Sequence, residues 1–178
     1  AARASGWATA WLGAGEAALR SGDREEAEAA LVEANARDPH NASVWGWLAL
    51  LCLTASPKPR TEEAAQSVDQ ALRLDLSDAR ILADIGREYV RLGKLRVATG
   101  VLRRAVSCGG GAAVREALAD ALAADGDAAA AFDAYEGLLG EADESAARAA
   151  LADKAVKALE ALGRGHEAPG LRARHGVA

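Results

Sequence analysis

The chain has 178 residues, 51% apolar and 26% charged, a balance that can bury a core and excludes a disordered tail on composition alone. Its net charge of -5 lacks the strong positive field on which nonspecific nucleic-acid binding depends. No apolar run approaches the ~18 residues a membrane helix needs, and the N-terminus has no signal-peptide core.

Alanine supplies 47 residues and aromatics only 4%, a mixture that favours helices over strands. Nearly all of the chain is therefore predicted helical. Cys52 and Cys108 lie far apart with no C-x-x-C pair, which suggests neither a disulfide framework nor a thiolate zinc site and makes a reducing compartment the expectation. The chain contains no Met, so it reads as a piece of a longer polypeptide.

An internal period organises the rest. Trp11 and Trp45 are 34 residues apart, as are Ala64 and Ala98, while Gly93 and Gly126 are 33 apart. Ala27 to Ala64 and Trp45 to Leu82 are both 37, which places a three-residue insertion near Ser56-Pro57-Lys58-Pro59. Two prolines cannot continue a helix interior, so the insertion belongs in a turn.

Taken in chain order, the first repeat, residues 8–41, carries Trp11, Gly15, Gly22, Ala27, Leu31, Ala34 and Pro39. Gly22 suits the left-handed residue that ends a helix, and Asp23 with Glu26 has the spacing of a capping box for the next. Gly15 and Ala27 are small enough for two helices to approach closely. The second repeat, 42–78, has Trp45, Leu48, Ala49, Ala64, Val68 and Ala71, with Asn41 as N-cap and Cys52 at a core position. The third, 79–111, has Leu82, Ile85, Gly86, Tyr89, Gly93, Ala98, Leu102 and Ala105. The fourth, 112–145, has Leu118, Ala119, Leu122, Gly126, Ala131, Tyr135 and Leu138, with Asp127 as N-cap. Residues 146–178 read as a degenerate repeat or C-terminal cap with a turn at Gly163.

This pattern resembles the tetratricopeptide repeat, a helix-turn-helix unit of about 34 residues. The resemblance implies an all-α, right-handed superhelical solenoid of antiparallel helix pairs, spanning 1–178 as a single array. Each repeat alone leaves an apolar face uncovered, so neighbours must stabilise one another.

Candidate chemistry fails on context. Gly13-Ala14-Gly15-Glu16-Ala17-Ala18 matches G-x-G-x-x-A but falls inside the first predicted helix, whereas a dinucleotide fingerprint follows a strand. Gly109-Gly110-Gly111 has no following Gly-Lys-Ser/Thr and is no P-loop. His40, His166 and His175 are too scattered for a local metal site. The carboxylates recur in caps and on polar helix faces, without the apolar setting a general acid needs. No catalytic, cofactor-binding or metal-binding residue is predicted, and the protein is expected not to be an enzyme.

Charge by repeat is more informative, at -3, -2, +5, -8 and +3 for 1–41, 42–78, 79–111, 112–145 and 146–178. The third repeat is a basic band. In tetratricopeptide arrays the first helices line a concave groove, and the resemblance implies that Arg80, Arg87 and Arg91 face it, where an acidic peptide or protein surface could meet them. Trp47 is a further candidate: Trp45 occupies the packing position, Trp47 would point toward the groove or an adjoining surface, and tryptophan is enriched at binding hot spots. The co-chaperone type of this family clamps a C-terminal carboxylate. Here the matching positions hold Leu12, Glu16, Arg80 and Asp84, so that clamp is largely absent.

Trp-Leu-Gly at 11–13, Glu-Ala-Asn at 33–35, Asn41-Ala42 before Val44-Trp45, Leu-Ala-Leu at 48–50 with Cys52, and Ala71-Leu72 through Leu74 and Leu76 go beyond the generic repeat. They resemble the C-terminal repeat region of the cilia- and flagella-associated protein 70 family. That resemblance implies an assembly module of the axoneme of motile cilia, associated with the central apparatus and needed for motility, whose partners are axonemal proteins and which needs no cofactor, membrane or nucleic acid. The alternative is a groove-type peptide adaptor in another cytoplasmic complex.

Overall fold

A computed structural model describes residues 2–177, so the end residues of the predicted array, 1 and 178, lie outside the described part. Among the described residues the regular elements are all helical: α1 (Ala2–Ser21), α2 (Arg24–Arg37), α3 (Ala42–Leu53), α4 (Thr61–Arg73), α5 (Ala79–Arg91), α6 (Leu95–Ser107), α7 (Ala112–Asp125), α8 (Ala128–Glu141), α9 (Ser145–Ala161), a 3₁₀ turn (Gly165–Glu167) and α10 (Ala168–Arg174). The all-α tetratricopeptide fold is the one predicted. The chain divides into two compact halves, Ala1–Tyr89 and Val90–Ala178.

In the N-terminal half α1 packs on α2, α3 on α4, and α2 on α3. The sequence of α3, ASVWGWLALLCL, has no charged residue, and a helix that is hydrophobic all round must be covered on several sides. It is: Val44, Trp47, Ala49, Leu50, Leu51, Cys52 and Leu53 are all buried. The buried residues of α2 are Ala27, Ala30, Leu31 and Ala34, one stripe at three- and four-residue spacing. Contact distances explain the small residues. A Cβ at Gly15 would fall 2.7 Å from Leu31 Cγ, and one at Gly46 would fall 2.6 Å from Ile81 Cγ2, so α1 approaches α2, and α3 approaches α5, at a separation only glycine permits.

The turns follow the sequence reading. Gly22 is left-handed at φ +87°, and the Asp23 side chain caps α2 by accepting from the Glu26 N–H at 3.0 Å. Asn41 accepts from Ser43 N–H at the start of α3, and Asp127 from Ala130 N–H at the start of α8. Pro57 and Pro59 lie in the loop between α3 and α4, where the insertion was expected. The Arg60 N–H closes that loop by donating to the Cys52 carbonyl at 2.9 Å.

In the C-terminal half α6 packs on α7, α7 on α8 and α8 on α9. Its core joins Leu122, Phe132, Tyr135, Leu138 and Leu139 to Leu151, Ala155, Leu159 and Leu171. After a left-handed turn at Gly163, α10 folds back on α9 and seats Leu171 with no residual exposure. No described helix is long and apolar enough to cross a membrane.

Candidate protein-binding surface

In the N-terminal half, α1, α3 and α5 together line a cavity of about 220 Å³, with Leu19, Arg20, Trp47, Leu50, Arg87 and Glu88 among its walls. Trp47 forms part of its floor and is only 4% exposed. Trp45 is half-buried, its indole N–H donating to the Pro39 carbonyl at 2.8 Å. The sequence reading had Trp45 as the packing residue and Trp47 pointing away. Of the two, Trp47 is the more deeply buried, set among Leu19 of α1 and Leu50 of its own helix. The Arg20 guanidinium lies 5.4 Å from the Trp47 ring centroid, a cation–π contact that holds the arginine over the cavity.

The predicted arginines sit on one side of α5 and are already engaged. Arg80 Nη2 pairs with Glu16 Oε1 of α1 at 3.2 Å, and Glu16 also takes Arg20 at 2.8 Å. Arg87 pairs with Asp84 at 2.9 Å. Arg91 is exposed in the last turn of the same helix. Thus Trp47 and Arg87 meet at one cavity, Arg80 is tied to its rim through Glu16, and the basic charge is partly balanced by Glu16, Asp84 and Glu88. Arg80 and Arg87 keep 59% and 47% of their side chains exposed. Such pairs contribute about 0–1 kcal/mol, so a partner's carboxylates can replace the internal ones at small cost.

What sequence reasoning missed is Arg20, which lies in a repeat of net negative charge. Its signal is positional, four residues after Glu16 on the groove side of α1.

The titratable groups show structural rather than catalytic chemistry. Burial pushes the Cys52 thiol up, against the opposing influence of Arg60, so the thiolate is disfavoured. Burial and a 2.7 Å hydrogen bond to Asp120 push the Tyr135 phenol well up. Burial lowers the Lys154 ammonium, but its bonds to Asp120 and Glu116 more than offset this and leave it raised. Among the described residues no group of three or more His, Cys, Asp or Glu side chains could hold a metal ion.

Comparisons with known proteins agree with the helix-pair geometry. A family model described as the cilia and flagella-associated protein 70 C-terminal domain matches residues 1–157. The curated cilia- and flagella-associated protein 70 of Macaca fascicularis is 45% identical over 75 residues, covering 42% of this chain and 7% of that protein. The Homo sapiens protein matches at the same identity over 6% of its length. The chain therefore aligns with a small part of these relatives. Solved structures share the fold at low identity: MamA at a TM-score of 0.71 and 19% identity, covering 94% of this chain and 89% of that one, and Pseudomonas aeruginosa PilF at 0.69 and 20%, covering 98% and 79%. YrrB, described as a tetratricopeptide protein with an unusual peptide-binding site, matches at 0.70 and 18%, covering 93% and 82%.

Proposed function

This chain belongs to the family of the cilia and flagella-associated protein 70 C-terminal domain, and from that premise we propose that it is an assembly scaffold of the ciliary axoneme, associated with the central apparatus and needed for motility. The module is non-enzymatic, a tetratricopeptide surface for protein–protein interaction. The observation that carries the ciliary reading is the family match over residues 1–157. The α1–α3–α5 face supplies the means of docking: a cavity over Trp47 walled by Arg20 and Arg87, with Arg80 joined to Arg20 through their shared Glu16 and Arg91 further along α5, offering cations that an acidic partner surface can take over from Glu16 and Asp84.

Two experiments test this. The tagged parent protein, expressed in ciliated cells, should remain on axonemes after detergent extraction. A diffuse cytoplasmic signal would overturn the ciliary placement and leave the second reading, a groove-type peptide adaptor in another cytoplasmic complex, which the concave cavity at Trp47 favours. Changing Arg80, Arg87 and Arg91 together to Glu should weaken partner capture at least tenfold while helical circular dichroism is retained. Unchanged capture at low salt would remove these arginines from the interface.

A further inference from the structure

Helix α6 presents an exposed face whose charge is one-sided. From Val90 to Arg115 the chain carries Arg91, Lys94, Arg96, Arg103, Arg104 and Arg115 and no carboxylate. Arg91, Arg104 and Arg115 have interactions of their own. Lys94, Arg96 and Arg103 are exposed, and among the described residues they form no ion pair. The acids of α7, the helix packed on α6, do not answer them. Glu116 and Asp120 are held by Lys154 of α9, and Asp125 pairs with none of the three.

Arg96, Gly100 and Arg103 follow one another at four- and three-residue spacing, so they form a single line along the helix. Beside that line Val97 is 46% exposed. A Cβ at Gly100 would have nothing within 4 Å, so no packing within the chain calls for glycine there, although glycine weakens a helix interior relative to alanine. The cations do not serve the helix either. Lys94 is the N-cap but makes no side-chain cap bond, and the first turn holds no acid, so Lys94 and Arg96 stand at the positive end of the helix dipole, where cations are disfavoured. The repeat period sets α6 apart from its counterparts. At the places of Arg96, Val97 and Arg103, α4 has Glu62, Glu63 and Asp69, 34 residues earlier, and α8 has Ala129, Ala130 and Glu136, 33 residues later.

We propose that this face of α6 docks an extended acidic segment of a partner protein, at a site separate from the α1–α3–α5 cavity. Arg96 and Arg103 are about 10 Å apart along the helix axis, which is also the span of three residues of extended chain. Carboxylates at that spacing meet both guanidiniums in charge-assisted bonds. The residues between them cross Gly100, where the missing side chain lets a backbone come close, and cover Val97. Nucleic acid is the poorer fit. The chain is net negative at -5, and the aromatics of this half, Phe132 and Tyr135, are buried, which leaves no surface on which bases stack.

The test uses a fluorescein-labelled octapeptide of two Glu-Glu-Val-Ala repeats, titrated onto the chain at low salt and followed by polarisation and amide chemical-shift mapping. Its Lys-Lys-Val-Ala counterpart is the control. The acidic peptide should bind with shifts gathered on α6, and binding should weaken as salt rises. Arg96→Glu with Arg103→Glu should weaken the affinity read from the α6 shifts at least tenfold, and the milder Arg96→Gln with Arg103→Gln at least threefold. Gly100→Leu, whose side chain meets open space in the fold, should weaken it at least threefold with helical circular dichroism unchanged. Arg80→Glu with Arg87→Glu should leave it within twofold. Absence of α6 shifts, equal binding of the basic peptide, or insensitivity to the changes at Arg96 and Arg103 would overturn the proposal. So would tighter binding of an eight-nucleotide single strand, or a dimer in sedimentation that Arg96→Glu with Arg103→Glu dissolves, because nucleic acid or the acidic fourth repeat of a second copy would then be the occupant.

Discussion

Glycines within the helices divide into two kinds that a sequence alone does not separate. Gly46 has Ile81 Cγ2 where its Cβ would be, and Ile81, β-branched and 2% exposed, has little freedom to move. Gly46→Ala should therefore destabilise the protein by about 1–3 kcal/mol. Gly137, inside α8, has nothing within 4 Å of the same point. Gly137→Ala should stabilise by about 0.5–1 kcal/mol, the usual gain of Ala over Gly in a helix. Urea denaturation of both variants checks the pair, and equal shifts would sink the packing account. Gly15 was legible because it falls at the repeat's small position, facing a second helix of known register. Gly46 was not: it lies one residue past the repeat's tryptophan, and its constraint comes from α5, more than thirty residues on. Trp45 and Trp47 show the same limit, since a two-residue step on a wholly apolar helix leaves undecided which ring is covered.

At the scale of elements, the capping residues Asp23, Asn41 and Asp127 were legible because a cap is a local hydrogen bond. The link between α7, α8 and α9 was not, since it joins residues far apart in the chain: Tyr135 donates to Asp120, and Lys154 meets both Asp120 and Glu116. The folded state holds the Tyr135 proton more tightly than an unfolded chain, whose phenol titrates near pH 10. Stability from this source is thus complete below about pH 10 and lost as the pH climbs beyond it. Tyr135→Phe should cost about 1–3 kcal/mol at pH 7, as expected for a bond to a charged acceptor, and the deficit against the parent should shrink above pH 10. A deficit independent of pH in thermal melts from pH 7 to 11 would show that the phenol's proton contributes nothing.

At the scale of the whole chain, the repeat period identified the fold, because stacking requires the same small and large residues in every unit. The division into two compact halves was not legible, since the period runs through Tyr89 without a break. Within the C-terminal half the core is shared: Leu151, Ala155, Leu159 and Leu171 cover Phe132, Leu138 and Leu139. Removing residues 145–178 should therefore lower mean-residue helicity in far-ultraviolet circular dichroism by more than the deleted segment accounts for. A loss equal to that segment, with an unchanged melting temperature, would mean α7 and α8 stand without it. One further consequence follows from the charge-free helix α3. It is a single partition with a cavity on each side, Trp47 and Leu50 looking into one and Trp45 and Leu48 into the other. A guest that draws this partition toward itself changes the room left for a guest opposite. Were both cavities filled at once, reciprocity would require each guest to alter the other's affinity by the same factor.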